Sequence, residues 1–437
     1  MESQKAKEAE ASASGAGGLT YVDFVPKCLR PDSLLHWPEF EPFSTLIGPA
    51  NAYLREHPHL TISGCETIHL QVEKDHIRNP DQSEFDLFGE TAKPFVKALR
   101  IWLQPRDKNE SHEAQQIGYV SFIPSVLPNV SQTLADLTKQ ANDWLHANPL
   151  PGRILSVETL LIRGVHGEIN PDASAWKQKT SLAALTKQTF IQSFRIFYHT
   201  TPHPAHEDIG FVDFLPRMVE SGGMFSFPRG EQFTDVLRAL NQWVTSVPGN
   251  VRLLNIQTLL TRATRHGDPL NIYTACYTDA EFHEFHWRFL RLAFAAPRLE
   301  PSAPPVYALP TICSRLFVAG LTRDPKWYRR AELERLSVVR ERLDRWVRGS
   351  GCRVLFVETV TYKTFTGNER AAGFDSMHTW NEYHYDSSSK SHRPQVEQYV
   401  VGFRVYFQGE VREVTGTTPA RSLDDYRLEN QDKCVIS

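Results

Sequence analysis

The hexapeptide Tyr21-Val22-Asp23-Phe24-Val25-Pro26 decides the fold, because it recurs along the chain with conservative changes. The later copies are Tyr119-Val120-Ser121-Phe122-Ile123-Pro124, Phe211-Val212-Asp213-Phe214-Leu215-Pro216 and, more loosely, Val306-Tyr307-Ala308-Leu309-Pro310. Short apolar segments that end at proline are typical of β-strands. Copies that begin about every 95 residues indicate an internally repeated chain.

An amphipathic helix is predicted after each copy. In the third, the apolar residues recur at intervals of three and one, which places them on one helix face; they are Phe233, Val236, Leu237, Leu240, Trp243 and Val244. Each helix ends on an aromatic residue followed by an aliphatic one, namely Tyr53-Leu54, Trp144-Leu145, Trp243-Val244 and Trp346-Val347.

Two further strands are predicted in every copy. The first surrounds a fixed dipeptide, found as Glu66-Thr67, Glu158-Thr159, Gln257-Thr258 and Glu358-Thr359. The second closes the copy and carries an arginine, at Arg100, Arg195, Arg291 and Arg404. The order strand–helix–strand–strand therefore defines one unit, whose three strands we name opening, middle and closing.

These patterns predict an α+β protein of four tandem units, with antiparallel-rich sheets and one helix layer. One helix covers only one face of three strands, so we expect the units to pair as pseudo-dimers. The expected organisation is a disordered tail at 1–18, unit 1 at 19–110, unit 2 at 115–203, unit 3 at 208–298, unit 4 at 304–412, and a flexible C-terminal arm at 413–437.

The polar residues of the middle and closing strands predict cross-strand pairs. Antiparallel strands would place Glu66 opposite Arg100, and the same reasoning pairs Glu158 with Arg195, Gln257 with Arg291, and Glu358 with Arg404. These pairs are interpreted as structural ion pairs, with a repeated anion site as the alternative. Gln257 favours the structural interpretation, because a catalytic acid would not tolerate replacement by an amide.

The last four residues, Cys434-Val435-Ile436-Ser437, match a C-a-a-X prenylation signal, and a terminal serine favours farnesyl. Cys434 is the expected lipidation site, and Val435, Ile436 and Ser437 are the expected processing determinants. The implied partners are a prenyltransferase and the enzymes that process and methylate C-a-a-X ends. One lipid chain binds membranes only marginally, so a second membrane signal is needed.

Unit 4 contains two candidates for that second signal or for a protein partner. Residues 322–348 carry nine basic and five acidic side chains, and Arg335, Arg342 and Arg345 are expected to face outward from the helix. The long loop at 367–395 is rich in aromatic residues, of which Trp380, Tyr383 and Tyr385 are candidate contacts.

Composition and motifs exclude several classes of function. A formal net charge of −3 argues against a nucleic-acid-binding protein. No catalytic, nucleotide-binding or cofactor motif is present. The histidines at 199, 203, 206, 283 and 286 do not follow a zinc-binding spacing, so no metal site is expected. No apolar run is long enough for a membrane span, and the N-terminus lacks a signal peptide.

Two hypotheses about function remain. The first is a non-enzymatic, farnesylated protein of the cytoplasm that acts as a scaffold or binding platform at a membrane surface. The second is a small apolar-ligand binding protein or enzyme with a pocket between paired units, lined by Trp102, Phe197 or Tyr406.

Overall fold

A computed structural model describes residues 18–31, 38–73, 76–77, 79–88, 94–106, 115–125, 132–164, 169–177, 188–201, 206–221, 228–247, 251–263, 269, 272–279, 285–298, 309, 311–324, 331–364, 373–380 and 396–426. The lipidation signal Cys434–Ser437 lies outside the described residues, as do Tyr383 and Tyr385.

The order strand–helix–strand–strand occurs four times along the described chain. The helices are Ile47–Glu56, preceded by a 3-10 turn at Phe43–Leu46, and Leu134–Ala147, Phe233–Ser246 and Leu336–Ser350. The opening strands are Thr20–Phe24, Ile117–Phe122, Glu207–Phe214 and Ile312–Val318. The middle strands are Leu60–Glu73, Gly152–Gly164, Arg252–Ala263 and Arg353–Thr364. The closing strands are Pro94–Pro105, Gln188–Thr200, Phe285–Pro297 and Val396–Gln408.

Each unit forms an antiparallel sheet in which the closing strand is central. In unit 1 the middle strand pairs along the closing strand from Leu60↔Pro105 to Gln71↔Phe95. The opening strand pairs with the other edge, from Thr20↔Leu103 to Phe24↔Leu99. On this second edge, the first residues of the closing strand have no partner among the described residues of unit 1. The chain is therefore strand-rich, and its mostly antiparallel sheets fit the predicted α+β class.

A short strand from the following unit fills the remaining edge of each sheet. The closing strands of units 1, 2 and 3 receive Ala175–Lys177, Cys276–Asp279 and His378–Trp380 respectively. The closing strand of unit 4 receives Glu84–Phe88, which belongs to unit 1. The contacts therefore run from unit 1 through unit 4 and back to unit 1, in a closed ring rather than in two separate pairs.

Each helix lies between its own sheet and the next unit. Asn142 donates to the carbonyl of Ile209 at 3.0 Å and accepts from its N–H at 2.8 Å, which joins the helix of unit 2 to the opening strand of unit 3. Asn51 and Asn241 make the same two bonds to Ile117 and Ile312. In unit 4, Asp344 takes this place and accepts from the N–H of Leu19 in unit 1, which closes the ring.

The hydrophobic cores follow the same arrangement. Trp102 of unit 1 is buried in a cluster with Phe317, Leu343 and Trp346 of unit 4. Phe197 of unit 2 lies in the core of unit 1, and Tyr406 of unit 4 lies in the core of unit 3. Every sheet thus packs one face on its own helix and the other on the preceding unit, so no unit buries its apolar surface alone.

A small two-stranded ribbon follows the opening strand in units 1, 3 and 4. The ribbons pair Cys28–Arg30 with Glu39–Phe40, Met218–Glu220 with Arg229–Gly230, and Leu321–Arg323 with Glu332–Leu333. Each ribbon directly precedes the N-terminus of a helix. At that N-terminus a carbonyl of the next unit accepts the first helical N–H, as Asp375 does for Phe233 at 2.9 Å.

Two expectations about unit 4 need correction. Its opening strand is Ile312–Val318, in which Leu316 lies opposite Arg404 as Asp23 lies opposite Arg100. Of the predicted segment at 306–310, only Leu309 is among the described residues. The first part of the predicted flexible arm is packed on unit 4: the carbonyl of Gly416 accepts from the Arg345 guanidinium at 2.7 Å. Thr417, also in this part, is 1% exposed.

Within the described part of the chain, none of the helices combines the length and the apolar character that crossing a bilayer requires.

Asn142→Ala is expected to lower the free energy of unfolding by about 1–3 kcal/mol, because it leaves the buried N–H and carbonyl of Ile209 without their partner. Urea unfolding followed by circular dichroism would measure the change. The matched control is Asp143→Ala on the exposed face of the same helix, with an expected change within about 0.5 kcal/mol. Equal losses in both variants would contradict the inter-unit role of Asn142.

Candidate functional site at the unit junctions

The middle strands of neighbouring units meet through one repeated contact. The Thr67 N–H of unit 1 donates to Glu158 Oε1 of unit 2 at 2.7 Å, and the Thr67 hydroxyl donates to Oε2 at 2.7 Å. Thr258 makes both bonds to Glu358. A backbone edge that no strand pairs with is therefore satisfied by a side chain.

The same contact occurs at the other two junctions. The Thr159 N–H donates to Gln257 Oε1 at 2.7 Å. Between unit 4 and unit 1, the Thr359 N–H donates to Glu66 Oε2 at 2.9 Å, and the Thr359 hydroxyl bonds the other oxygen. An amide oxygen serves as well as a carboxylate because the backbone N–H needs only one acceptor.

Burial keeps these carboxyl groups close to neutrality. It raises the pKa of Glu158 and of Glu358 to about 7, although the hydrogen bonds from threonine act in the opposite direction. Burial also raises the pKa of Glu66, against the charge of Arg100.

The contacts of the closing-strand arginines differ from the predicted ion pairs. The register does place Glu66, Glu158, Gln257 and Glu358 opposite Arg100, Arg195, Arg291 and Arg404. Among the described residues, however, no ion pair joins any of these partners. The carboxyl groups bond the threonine of the preceding unit, and three of the four arginines donate to the same threonine hydroxyl.

Two of the arginines have an aspartate partner instead. Arg100 pairs with Asp23 and Arg291 with Asp213, each through two bonds of 2.7 Å. Both also donate to a threonine hydroxyl of the preceding unit: Arg100 to Thr359 and Arg291 to Thr159, each at 3.0 Å.

The other two arginines lie opposite residues without charge. Arg195 faces Ser121 and donates to the Thr67 hydroxyl of unit 1 at 2.9 Å. Arg404 faces Leu316 and reaches no threonine of unit 3; it donates to the hydroxyl of Tyr362 in its own unit. Arg404 is 4% exposed, and its Nε has no hydrogen-bond partner among the described residues. Among the described residues, the junction of units 3 and 4 thus lacks the arginine–threonine hydrogen bond of the other junctions, and the Arg404 guanidinium lies instead 3.4 Å from the centre of the Phe233 ring of unit 3.

A cavity of 330 Å³ lies at that junction. It is lined by the middle and closing strands of both units, through Thr258, Leu260, His286, Arg288, Thr359, Val360, Thr361, Tyr362, Lys363 and Tyr399. We name it the junction cavity.

The junction cavity has positively charged walls. Arg288 and Lys363 are each 5% exposed, and no carboxylate belongs to the described lining. Arg288 donates to the carbonyls of Ser376 and His378 at 3.0 and 3.1 Å, which fixes its guanidinium without neutralising it. Burial lowers the pKa of Arg288, and the charge of Arg404 acts in the same direction.

The prediction from sequence missed Arg288 and Lys363. A signal for them existed in the spacing of the units. Lys363 lies five residues beyond Glu358, and Arg163 and Arg262 follow Glu158 and Gln257 at the same interval. Arg288 precedes Arg291 by three residues, where unit 1 has Lys97.

The other predicted site residues do not meet in one place. Trp102, Phe197 and Tyr406 are fully buried in the cores and line no part of the junction cavity. Of Trp380 only the backbone is described, paired with Phe285.

The expected outward position of Arg342 is wrong. It is 6% exposed, and it donates to the carbonyl of Val318 at 2.8 Å and to Glu334 at 2.7 Å. Its helix is covered on two faces, and not on one. Arg335 and Arg345 are exposed, and Arg345 donates to the carbonyl of Gly416.

Within the described ranges, no group of three or more His, Cys, Asp or Glu side chains could hold a metal ion. No protein-family model matches the sequence, and neither a curated protein nor a solved structure shows significant similarity to it.

Glu158→Gln is expected to remove a pH dependence of stability. Burial raises the pKa of Glu158 to about 7 from its ordinary value of 4.5, so the folded chain holds this proton more tightly than the unfolded chain. The resulting stability is complete below about pH 4.5 and is lost as the pH rises through 7. Between pH 5 and 8 the wild type should therefore lose about 1–3 kcal/mol relative to the variant.

Urea unfolding of both proteins across this pH range would measure the difference. The reciprocal control is Gln257→Glu, which places a carboxyl at the equivalent junction and should add pH dependence of the same sign. The same pH slope in wild type and Glu158→Gln would refute the assignment.

Proposed function

We propose that the protein binds a small anionic molecule in the junction cavity and works at a membrane surface through a C-terminal lipid. The observation that supports ligand binding is the buried guanidinium of Arg288 in the lining of this cavity, which bonds two carbonyls and forms no ion pair with a carboxylate among the described residues. Arg288 and Lys363 line it, and Arg404 lies behind it without the aspartate that its equivalents in units 1 and 3 have.

Electrostatics favours an anion as the ligand. A buried guanidinium whose bonds are to neutral carbonyls keeps its full charge, which is costly, and an incoming carboxylate or phosphate would stabilise Arg288. Glu358, whose charge acts on Arg404, has a pKa raised to about 7 by burial and is already occupied by two bonds from Thr258. It therefore offsets the charge of Arg404 only in part.

The size and lining of the junction cavity limit the ligand further. A volume of 330 Å³ lies at the low end of the range for small-molecule sites. Tyr362, Tyr399, Val360 and Leu260 offer apolar and aromatic surface beside the cations. A compact anion with a small planar or apolar part fits these walls, which replaces the apolar ligand that the sequence suggested.

Lys363→Met is expected to weaken anion binding at least about tenfold, because it removes one buried charge and keeps the side-chain length. Isothermal titration calorimetry with phenyl phosphate, benzoate and inorganic phosphate would measure the affinity. The matched control is Lys97→Met, which removes an equally buried lysine at the junction of units 1 and 2 and should leave the affinity unchanged. Absence of saturable binding by all three probes, or equal affinity in Lys363→Met and wild type, would refute the proposal.

Membrane attachment is supported by the Cys434-Val435-Ile436-Ser437 tetrapeptide. In this proposal a prenyltransferase farnesylates Cys434, the last three residues are removed, and the new terminus is methylated. The protein is then a peripheral membrane protein on the cytoplasmic side, and its body serves as a non-enzymatic binding platform. The basic segment of unit 4 at 322–348 gives little support as a second signal, because Arg323, Arg342 and Arg348 are paired with Glu332, Glu334 and Asp344.

The equivalent contacts at all four junctions support an origin from one repeated unit of about 95 residues. Each middle strand also has a register shift at the same place, three residues before Glu66, Glu158, Gln257 or Glu358. Such shared irregularities are what a duplicated strand would retain.

Cys434→Ser is expected to release the protein from cell membranes, because the serine hydroxyl is not a substrate for prenyl transfer. Membrane fractionation of cells that express wild type or variant would measure this, together with mass spectrometry of the C-terminal peptide. A suitable control is Cys352→Ser, a half-buried free cysteine that lies outside the ribbons and far from the tetrapeptide in sequence. An unmodified C-terminal peptide in the wild type would overturn the attachment.

A further inference from the structure

We propose that one end of the ring, formed by the three ribbons, is the surface that contacts the lipid. We name it the ribbon end. This inference rests on the lipid attachment proposed above and adds the orientation of the body and the side chains that insert.

The ribbons share one end of the molecule because of the ring. The same backbone contact joins every pair of neighbours, from Thr67–Glu158 through Thr359–Glu66. A contact that repeats head to tail and closes on itself relates the units by rotation about one axis. Equivalent parts of all units therefore point to the same side, and the ribbons of units 1, 3 and 4 are equivalent parts.

The C-terminal segment leads to the ribbon end. It begins at the opposite end, where Arg412 accepts from the indole of Trp346 near the helix C-terminus. It then passes Arg345, which donates to Gly416, and reaches the ribbon of unit 4, where the Leu321 N–H donates to the carbonyl of Arg421 at 2.8 Å. An ion pair of 2.7 Å between Arg421 and Asp324 holds it there.

The remaining chain is short enough to keep the lipid near this end. The described chain ends at Tyr426, and Cys434 follows after about eight residues, which span at most about 27 Å. A farnesyl group on Cys434 therefore enters the bilayer within that distance of Tyr426, which lies five residues beyond Arg421 at the unit 4 ribbon.

Large apolar side chains are exposed on the ribbons of units 1 and 3. Leu29 is 60% exposed, Met218 is 44% exposed and Val219 is 66% exposed. One prenyl chain gives only marginal membrane binding, and apolar side chains that enter the interface supply the missing affinity. In this proposal these three residues supply the second membrane signal, a role that the sequence suggested for the basic segment of unit 4.

Charge on the ribbons does not oppose this contact. Arg30, Arg217 and Arg229 are balanced by Glu39, Glu231 and Glu220, which lie within 3.2 to 3.9 Å of them. Insertion is therefore driven by apolar surface, and anionic lipid has a secondary effect.

The experiment uses the full-length farnesylated protein, with the lipid verified by mass spectrometry, and vesicles of phosphatidylcholine containing about one-fifth phosphatidylserine. The double variant Leu29→Ser/Val219→Ser should lower the partition coefficient at least about tenfold in vesicle sedimentation. The control is Val411→Ser, 53% exposed at the opposite end, just beyond Gln408, which pairs with the first residue of the opening strand. This control should leave partitioning unchanged.

The outcomes separate the two proposals. If the protein carries farnesyl and binds vesicles, but the ribbon variant binds as wild type does, the lipid attachment stands and the ribbon-end contact is refuted. If Val411→Ser weakens binding as much as the ribbon variant, the orientation is refuted as well. An unfarnesylated C-terminus refutes the attachment proposal itself, and unmodified protein that still binds through Leu29 and Val219 would preserve the ribbon-end contact alone.

Discussion

The rest of the structure depends on how each middle strand finds hydrogen-bond partners for the edge that does not face its closing strand. A strand edge without a partner presents unpaired N–H groups, and leaving one buried costs as much as a lost hydrogen bond. Glu66, Glu158, Gln257 and Glu358 solve this by accepting the threonine N–H of the preceding unit. Because each acceptor belongs to the next unit, the edge can be satisfied only when the neighbour is present.

This dependence explains why the chain closes into a ring. An open row of units would leave the first acceptor and the last donor without partners, and it would expose the second face of one sheet. The contact of Asp344 with Leu19 and the strand Glu84–Phe88 on the closing strand of unit 4 remove both problems together. The buried carboxyls are tolerated because their raised pKa values reduce the charge that the interior must hold.

In a ring built from equivalent junctions, a junction whose contacts differ from the others is easily recognised. At three junctions a buried arginine reaches the threonine of the preceding unit, and at the fourth Arg404 bonds Tyr362 instead. The junction cavity lies at this fourth junction, beside Arg288 and Lys363. The anion site proposed above is placed at this junction because Arg288 is buried there and bonds only neutral carbonyls among the described residues.

The sequence by itself determined the order of elements, because apolar periodicity and the recurring dipeptides depend only on local spacing. It also placed Glu66 opposite Arg100, since antiparallel pairing follows from the order of the strands. Which partner each side chain chooses was decided by the tertiary structure. Glu66 bonds Thr359 of unit 4, which only the fold brings next to it, and Arg100 pairs with Asp23 on the opening strand of its own unit. Arg342 is buried because its guanidinium bonds the Val318 carbonyl and Glu334 of its own unit, and helical periodicity does not predict these partners. The opening strand of unit 4 could be identified only from the fold. Leu316 occupies the position of Asp23 and Asp213, and the segment does not end in proline. Its pairing with the closing strand is what identifies it.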